Sequence, residues 1–292
     1  MELFERLVYV LSPIFLIVVV GYLYAKKRAP DLEQSNKVNI EVFTPMLIFS
    51  VLSQGNIELS QYGALALAAV LVVLVPGLLS IPVAKKLGVA NLTFVPPMMF
   101  RNSGNLGLPL FLLAFGEEML PAAVILFIVE NTLHFSLGMR LLNAHQSWLA
   151  LLRIPMLQAT FLGLVFAISG WKLPQPIQLS IDMLGQIAIP LMLFSLGARM
   201  TQAKHMDWNL GLVSAIWAPL SGLLVALPVA YFFGLEGAQL SMVLIFSTLP
   251  PAVLNFLVAE RYGQEPEKVA SIVLAGNMLG AFILPLILAF VL

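Results

Sequence analysis

The sequence predicts an all-α polytopic membrane protein with ten transmembrane helices. Three observations carry this: an apolar composition, ten apolar runs of spanning length, and a likeness between the two halves. Of the 292 residues 60% are hydrophobic and 10% charged, with a mean hydropathy of +0.96. A water-soluble domain carries about 25% charged residues, so this chain lacks the polar surface to face water and its solvent is the lipid bilayer. Fifteen Lys and Arg balance fifteen Asp and Glu, which gives no basic surface for nucleic acid. Cysteine is absent, which excludes disulfides and thiolate metal sites.

A spanning helix needs roughly 20 mostly apolar residues. The first segment, 7–24, follows the acidic start Met1-Glu-Leu-Phe-Glu-Arg6. A secretory signal starts basic, so this run is read as a retained helix. Further segments follow at 37–54, 63–84, 92–115 and 120–141. The link from Leu142 to Ile154, with Trp148 and helically spaced Leu residues, reads as an interfacial helix. The second five segments are 155–171, 179–199, 210–233, 239–259 and 269–291. Twelve Lys and Arg fall in one set of connections, from Lys26 to Lys268, and only Arg6 and Lys172 on the other side. The positive-inside rule makes the first set cytoplasmic and places both termini outside.

The halves match at a near-constant offset. Pro45-Met-Leu-Ile-Phe-Ser50 pairs with Pro190-Leu-Met-Leu-Phe-Ser195, Ile81-Pro82-Val83-Ala84 with Leu227-Pro228-Val229-Ala230, and Asn131 with Asn277, all 145 or 146 residues apart. The expected organisation is repeat 1 over 1–141, a cytoplasmic linker over 142–154 and repeat 2 over 155–292. Five helices per repeat is an odd number, so the second repeat is inverted, an architecture of secondary transporters.

The fourth and ninth segments look broken. Arg101-Asn-Ser-Gly-Asn-Leu-Gly-Leu-Pro109 collects poor helix formers, and Pro250-Pro251 removes two backbone donors. Irregular backbone at membrane depth needs cover from protein or water. Paired interruptions in two halves point to a transporter's binding site, where half-helix N-termini attract an anion. Candidate substrate-binding residues are therefore Arg101, Asn102, Asn105, Gly107, Pro109, Pro250, Pro251 and Asn255. Arg101 lies roughly 13 Å into its helix, too deep to be unmatched; it either binds a carboxylate or pairs with Glu130. Glu130, Asn131, His134 and Asn277 are the supporting and coupling candidates, because a buried carboxylate can carry a proton. Sodium is the alternative coupling ion, for which the asparagines would supply oxygens. Neither a His-Glu-x-x-His zinc motif nor a Gly-x-Ser-x-Gly elbow occurs, so no enzyme, metal centre or cofactor is expected.

Asn102 through Pro109 with Phe115-Gly-Glu117, and Leu249-Pro-Pro251 through Val258-Ala-Glu-Arg-Tyr-Gly263, resemble the fourth- and ninth-helix motifs of the auxin efflux carrier family. That family includes plant auxin exporters and bacterial malate or malonate permeases, and shares its fold with bile acid sodium symporters. The resemblance implies a scaffold of helices 1, 2, 6 and 7 and a transport domain of helices 3–5 and 8–10. It also implies a homodimer, elevator-like movement, and Asn102 at the helix crossover. The short Leu142–Ile154 link favours a permease of the bacterial inner membrane for a small organic anion, a mono- or dicarboxylate. The alternatives are a sodium-coupled symporter of a larger amphipathic anion and a ligand-sensing membrane receptor.

Overall fold

A computed structural model describes residues 3–54, 59–142, 152–202 and 206–291. Trp148 and most of the 142–154 linker lie outside the described residues, as do His145, Lys204 and His205. Every regular element among the described residues is helical. In chain order they are α1 (Leu3–Arg28), α2 (Glu33–Val38), α3 (Thr44–Gln54), α4 (Leu59–Leu87), α5 (Asn91–Met99), α6 (Leu108–Phe115) and α7 (Leu120–Leu133). Then come α8 (Met139–Leu142), α9 (Pro155–Ser169), α10 (Gln175–Arg199), α11 (Trp208–Phe232), α12 (Gly237–Thr248), α13 (Leu254–Tyr262) and α14 (Pro266–Val291). Three π turns and two 3-10 turns (Glu117–Met119 and Met200–Gln202) link them: of the π turns, Asn39–Phe43 joins α2 to α3, Ser103–Gly107 leads into α6, and His134–Gly138 joins α7 to α8.

Six stretches are long and apolar enough to cross a bilayer on their own: Phe4–Arg28, Gln61–Leu87, Glu117–Leu142, Gln175–Arg199, Trp208–Phe232 and Pro266–Val291. The remaining predicted segments are also helical but shorter or divided. The second is α2, a π turn and α3 in one run; the sixth is α9, which opens on Pro155 and stops at the left-handed Gly170 (φ 66°). The fourth and ninth are each two half-helices, α5 with α6 and α12 with α13.

The helices sort into two packed groups. In one, α1 packs along α10, and α3 packs on α9 and α10. In the other, α4 contacts α5, α7 and α11, while α14 contacts α11, α12 and α13. Lipid offers no hydrophobic drive between helices, so small residues that bring backbones together substitute for it. The α1–α10 seam shows this: a Cβ on Gly197 would fall 1.9 Å from the Val18 carbonyl oxygen, and one on Gly21 would fall 2.1 Å from that of Phe194. Much of the opposite surface of these helices is apolar and exposed, as at Leu16, Val20, Leu179 and Met183, which suits a lipid-facing wall.

Candidate functional site: the crossover of two broken helices

The two interruptions meet each other. Proline disfavours helix in the residue before it, and Leu249, before Pro250, is extended at φ −55° and ψ 143°. Phe100 is extended too, at φ −96° and ψ 109°. The two extended pieces pair antiparallel, with Arg101 opposite Pro251. The Asn102 amide donates to the Pro250 carbonyl at 2.7 Å, and the Ala252 amide donates to the Phe100 carbonyl at 3.0 Å. Alternation along an extended strand leaves Pro251, which has no N–H, at the one register position where none is needed.

Side chains lock the pairing. Asn255 Nδ2 donates to the carbonyls of Phe100 (3.0 Å) and Ala252 (2.9 Å). Asn277 Nδ2 donates to those of Pro251 (3.0 Å) and Val273 (2.8 Å), which orients its Oδ1 to accept from Asn102 Nδ2 at 3.0 Å. The proline rings seat on α14 where it has no side chains: a Cβ on Gly276 would meet the Pro251 ring at 2.6 Å, and one on Gly280 the Pro250 ring at 3.3 Å.

Arg101 is 1% exposed and its guanidinium is held by backbone carbonyls. Its Nη2 donates to the Ala218 carbonyl at 2.9 Å and its Nη1 to the Leu249 carbonyl at 3.4 Å, while Nε has no partner. Leu249 follows the last turn of α12, so the charge stands at that helix's carbonyl-rich end, where a cation is favoured. No Arg101–Glu130 salt bridge forms among the described residues.

Beside the crossover lies a cavity of about 120 Å³. Arg101, Asn102, Ser103, Gly104 and Asn105 line it from the first break, and Ala252, Val253, Leu254 and Leu257 from the second. Glu130, Asn131 and His134 face these from α7 and its π turn, with Asn39, Thr44, Met192 and Arg199 on the other helix group. All three π turns contribute lining residues, a feature frequent at functional sites. Glu130 is 1% exposed and sits beside the Ser103 hydroxyl and the Arg101 backbone amide, yet Glu130 Oε2 and Ser103 Oγ make no hydrogen bond of normal geometry. His134 stacks on Phe100, centroids 4.1 Å apart and planes 7° apart. Asn131 Nδ2 is turned back to the Phe127 carbonyl at 2.9 Å.

Both half-helices that begin here start uncapped: neither Asn102 nor Val253 bonds its side chain to the amides of the first turn. At α13 the Asn255 and Phe256 amides donate to the Ala252 and Val253 carbonyls, whereas no backbone carbonyl among the described residues accepts from the amides of Ser103, Gly104 and Asn105, so the first break places the positive potential at the cavity.

Residues 139–288 match the model of the membrane transport protein family, a stretch of just over half the chain that includes the second broken helix. The chain belongs to this family. It is the family of the auxin efflux carriers, so the protein is a membrane transporter and not an enzyme. A putative malonate transporter of Rhizobium meliloti (strain 1021) is 25% identical over 194 residues, 62% of this chain and 61% of its own length. An uncharacterized transporter of Methanothermobacter thermautotrophicus is 29% identical over 295 residues, 94% of each chain. A probable auxin efflux carrier component of Oryza sativa subsp. japonica is 30% identical over 149 residues, 48% of this chain and 34% of the plant protein. The transporter thus spans about three fifths of the malonate transporter and a third of the plant carrier.

Of the residues singled out in the sequence, Arg101, Asn102, Asn105, Glu130, Asn131 and His134 are brought together around the cavity. Gly107, Pro109, Pro250, Pro251 and Asn255 are not in its lining; they shape or lock the crossover. Asn277 reaches the crossover but lines a different cavity, apolar and about 700 Å³, between α1, α6, α10 and α14. Sequence reasoning missed Asn39, Thr44, Met192 and Arg199. Met192 and Arg199 lie seven residues apart on one face of α10, but that spacing alone does not separate a cavity-facing arginine from one at a cytoplasmic helix end.

Proposed function

We propose that the transporter moves a small organic anion, a mono- or dicarboxylate, bound in the 120 Å³ crossover cavity. One observation carries this: the Ser103, Gly104 and Asn105 amides that no backbone carbonyl accepts, and the buried Ser103 hydroxyl, converge on the same small space. Buried polar atoms are ordinarily paired, so atoms left free around a cavity point to a ligand. The volume sets the size, because it lies well below the roughly 300–1,000 Å³ of pockets for drug-sized ligands. Asn102 and Asn105 orient the carboxylate, and Arg101 supplies positive charge from behind.

A substrate anion beside Glu130 is disfavoured unless that carboxyl carries a proton, so this reading couples transport to a proton on Glu130. On this reading ten helices span the membrane as two inverted repeats. The α1–α3–α9–α10 group is the scaffold, and the other group slides against it as an elevator. The two packing groups, the paired breaks and the 145–146 residue offset support this. A homodimer, a bacterial inner membrane and outward-facing termini belong to the same reading.

A second reading, a sodium-coupled symporter of a larger amphipathic anion, is favoured by the 700 Å³ apolar cavity. Proteoliposome currents with malonate, malate, indole acetate and a bile acid, with and without sodium and across a pH gradient, separate the two. The proposal expects currents with the small acids that a pH gradient drives and sodium leaves unchanged, and loss of the pH dependence in Glu130→Gln. Currents only with the bile acid, or a strict sodium requirement, would overturn it.

A further inference from the structure

Arg199 closes α10 and lines the crossover cavity from the helix group that does not contain the crossover. Met192, Leu196 and Arg199 follow one another on one helical face. Met192 lines the cavity too, and Leu196 packs in a cluster with Val253 at the start of α13. That face therefore looks at the crossover, with Arg199 at its end. No carboxylate among the described residues forms a salt bridge with it. A cation in the last turn of a helix favours the dipole wherever it points; the dipole does not require it to line a polar cavity.

We infer that Arg199 binds the second carboxylate of a short dicarboxylate whose first carboxylate rests on the Ser103–Asn105 amides of the first break, which makes dicarboxylates the preferred substrate class. The inference rests on the cavity being an organic-anion site. Arginine's planar fork matches a carboxylate's two oxygens, which a backbone-amide nest on the opposite wall complements. A monocarboxylate satisfies one wall and leaves the other cation unmatched; a dicarboxylate spans both. The small volume restricts the spacer between the two carboxylates to a few carbons. Because the two walls belong to different helix groups, such a ligand bridges them only while they face each other as they do here.

The test is calorimetric binding of malonate and of monomethyl malonate, which keeps the skeleton and masks one charge, to the purified protein in nanodiscs. The wild type should prefer malonate by about 10–100-fold, the value of one charge-assisted contact. In Arg199→Gln that ratio should collapse toward one through loss of malonate affinity, and Arg199→Lys should recover part of it. A ratio that survives Arg199→Gln, or equal weakening of both ligands, overturns the assignment. If the Gln variant melts abnormally, Arg199→Lys decides: a reduced ratio with a normal melt supports the inference, and an unchanged ratio overturns it. Wild-type binding of both ligands with equal affinity defeats Arg199 alone, whereas binding of neither defeats the anion site itself.

Discussion

Replacing Arg101 with Met separates a functional charge from a structural one. Met keeps an unbranched apolar stem and removes the guanidinium. The loss is the 2.9 Å bond to Ala218 O, worth about 1.5–3 kcal/mol for a charged donor. The 3.4 Å contact to Leu249 O adds less. Ala218 O keeps a second donor, Ser221 Oγ at 3.0 Å, so only Leu249 O is left bare. Against this stands the relief of a buried charge without an ion-pair partner, several kcal/mol of desolvation. The opposing effects nearly cancel, so Arg101→Met should unfold within about 2 kcal/mol of the wild type. Binding should respond differently. At about 8 Å and an effective dielectric of about 20, one charge acts on a bound anion with about 2 kcal/mol, or roughly 30-fold in affinity. Denaturant unfolding in detergent and malonate calorimetry on the same preparation measure both quantities. A variant that binds malonate as the wild type does shows that the anion does not sense Arg101. A variant destabilised by more than about 4 kcal/mol shows that the carbonyl contacts dominate over desolvation.

Two further outcomes follow from the hydrogen bonds. Asn277 Nδ2 is held by two carbonyls, so its Oδ1 cannot turn away from residue 102. Asn102→Asp therefore sets a carboxylate oxygen against Oδ1 and against any bound anion. It should lower malonate affinity at least 100-fold, while Asn102→Ala lowers it less; equal effects of the two would show that the charge is not felt. At the edge of the fold, Glu265 ties the loop before α14 to α5 through Thr93 Oγ1 at 2.5 Å and pairs with Lys268 in the first turn of α14. Hydrogen bonds from Lys268 and Thr93 hold its carboxyl below the ordinary 4.5. The stabilisation is then present above the ordinary value and lost as pH falls through the lower folded-state value. The pair is partly exposed, so Glu265→Gln should cost only about 0.5 kcal/mol near neutrality. Thermal melts of variant and wild type should converge in acid; a difference that persists there would place the effect elsewhere.

Backbone chemistry made the breaks legible. Pro250-Pro251 and the Gly- and Asn-rich stretch disfavour helix, so both interruptions were readable from local residues, although Pro96-Pro97 inside α5 shows that a double proline does not by itself end a helix. The depth of Arg101 followed from counting along a helix. The direction of its side chain did not, because the Ala218 and Leu249 carbonyls that hold it come from elements more than a hundred residues away. Arg199 was hidden for the opposite reason. A basic residue at a helix end satisfies the positive-inside pattern whether it faces water or a cavity, and only the packing of α10 against the crossover distinguishes the two. Sequence patterns thus located the strained backbone and left the tertiary partners open.

The matched pair Asn131 and Asn277 carries this one step further. Their offset of 146 residues predicts equivalent places, yet Asn277 clamps the crossover while Asn131 bonds its own helix and lines the small cavity. Two residues with identical donors and acceptors can differ in this way only through their surroundings. On the inverted-repeat reading, equal treatment of the pair would require a molecule closed or open to both sides alike. Alternating access demands the reverse, since one face must be sealed while the other is open. On the same reading, the clamp at Asn277 and the cavity beside Asn131 fit a carrier held in a single one-sided state. On that reading, residues that exchange roles between states are to be sought among such unequal pairs.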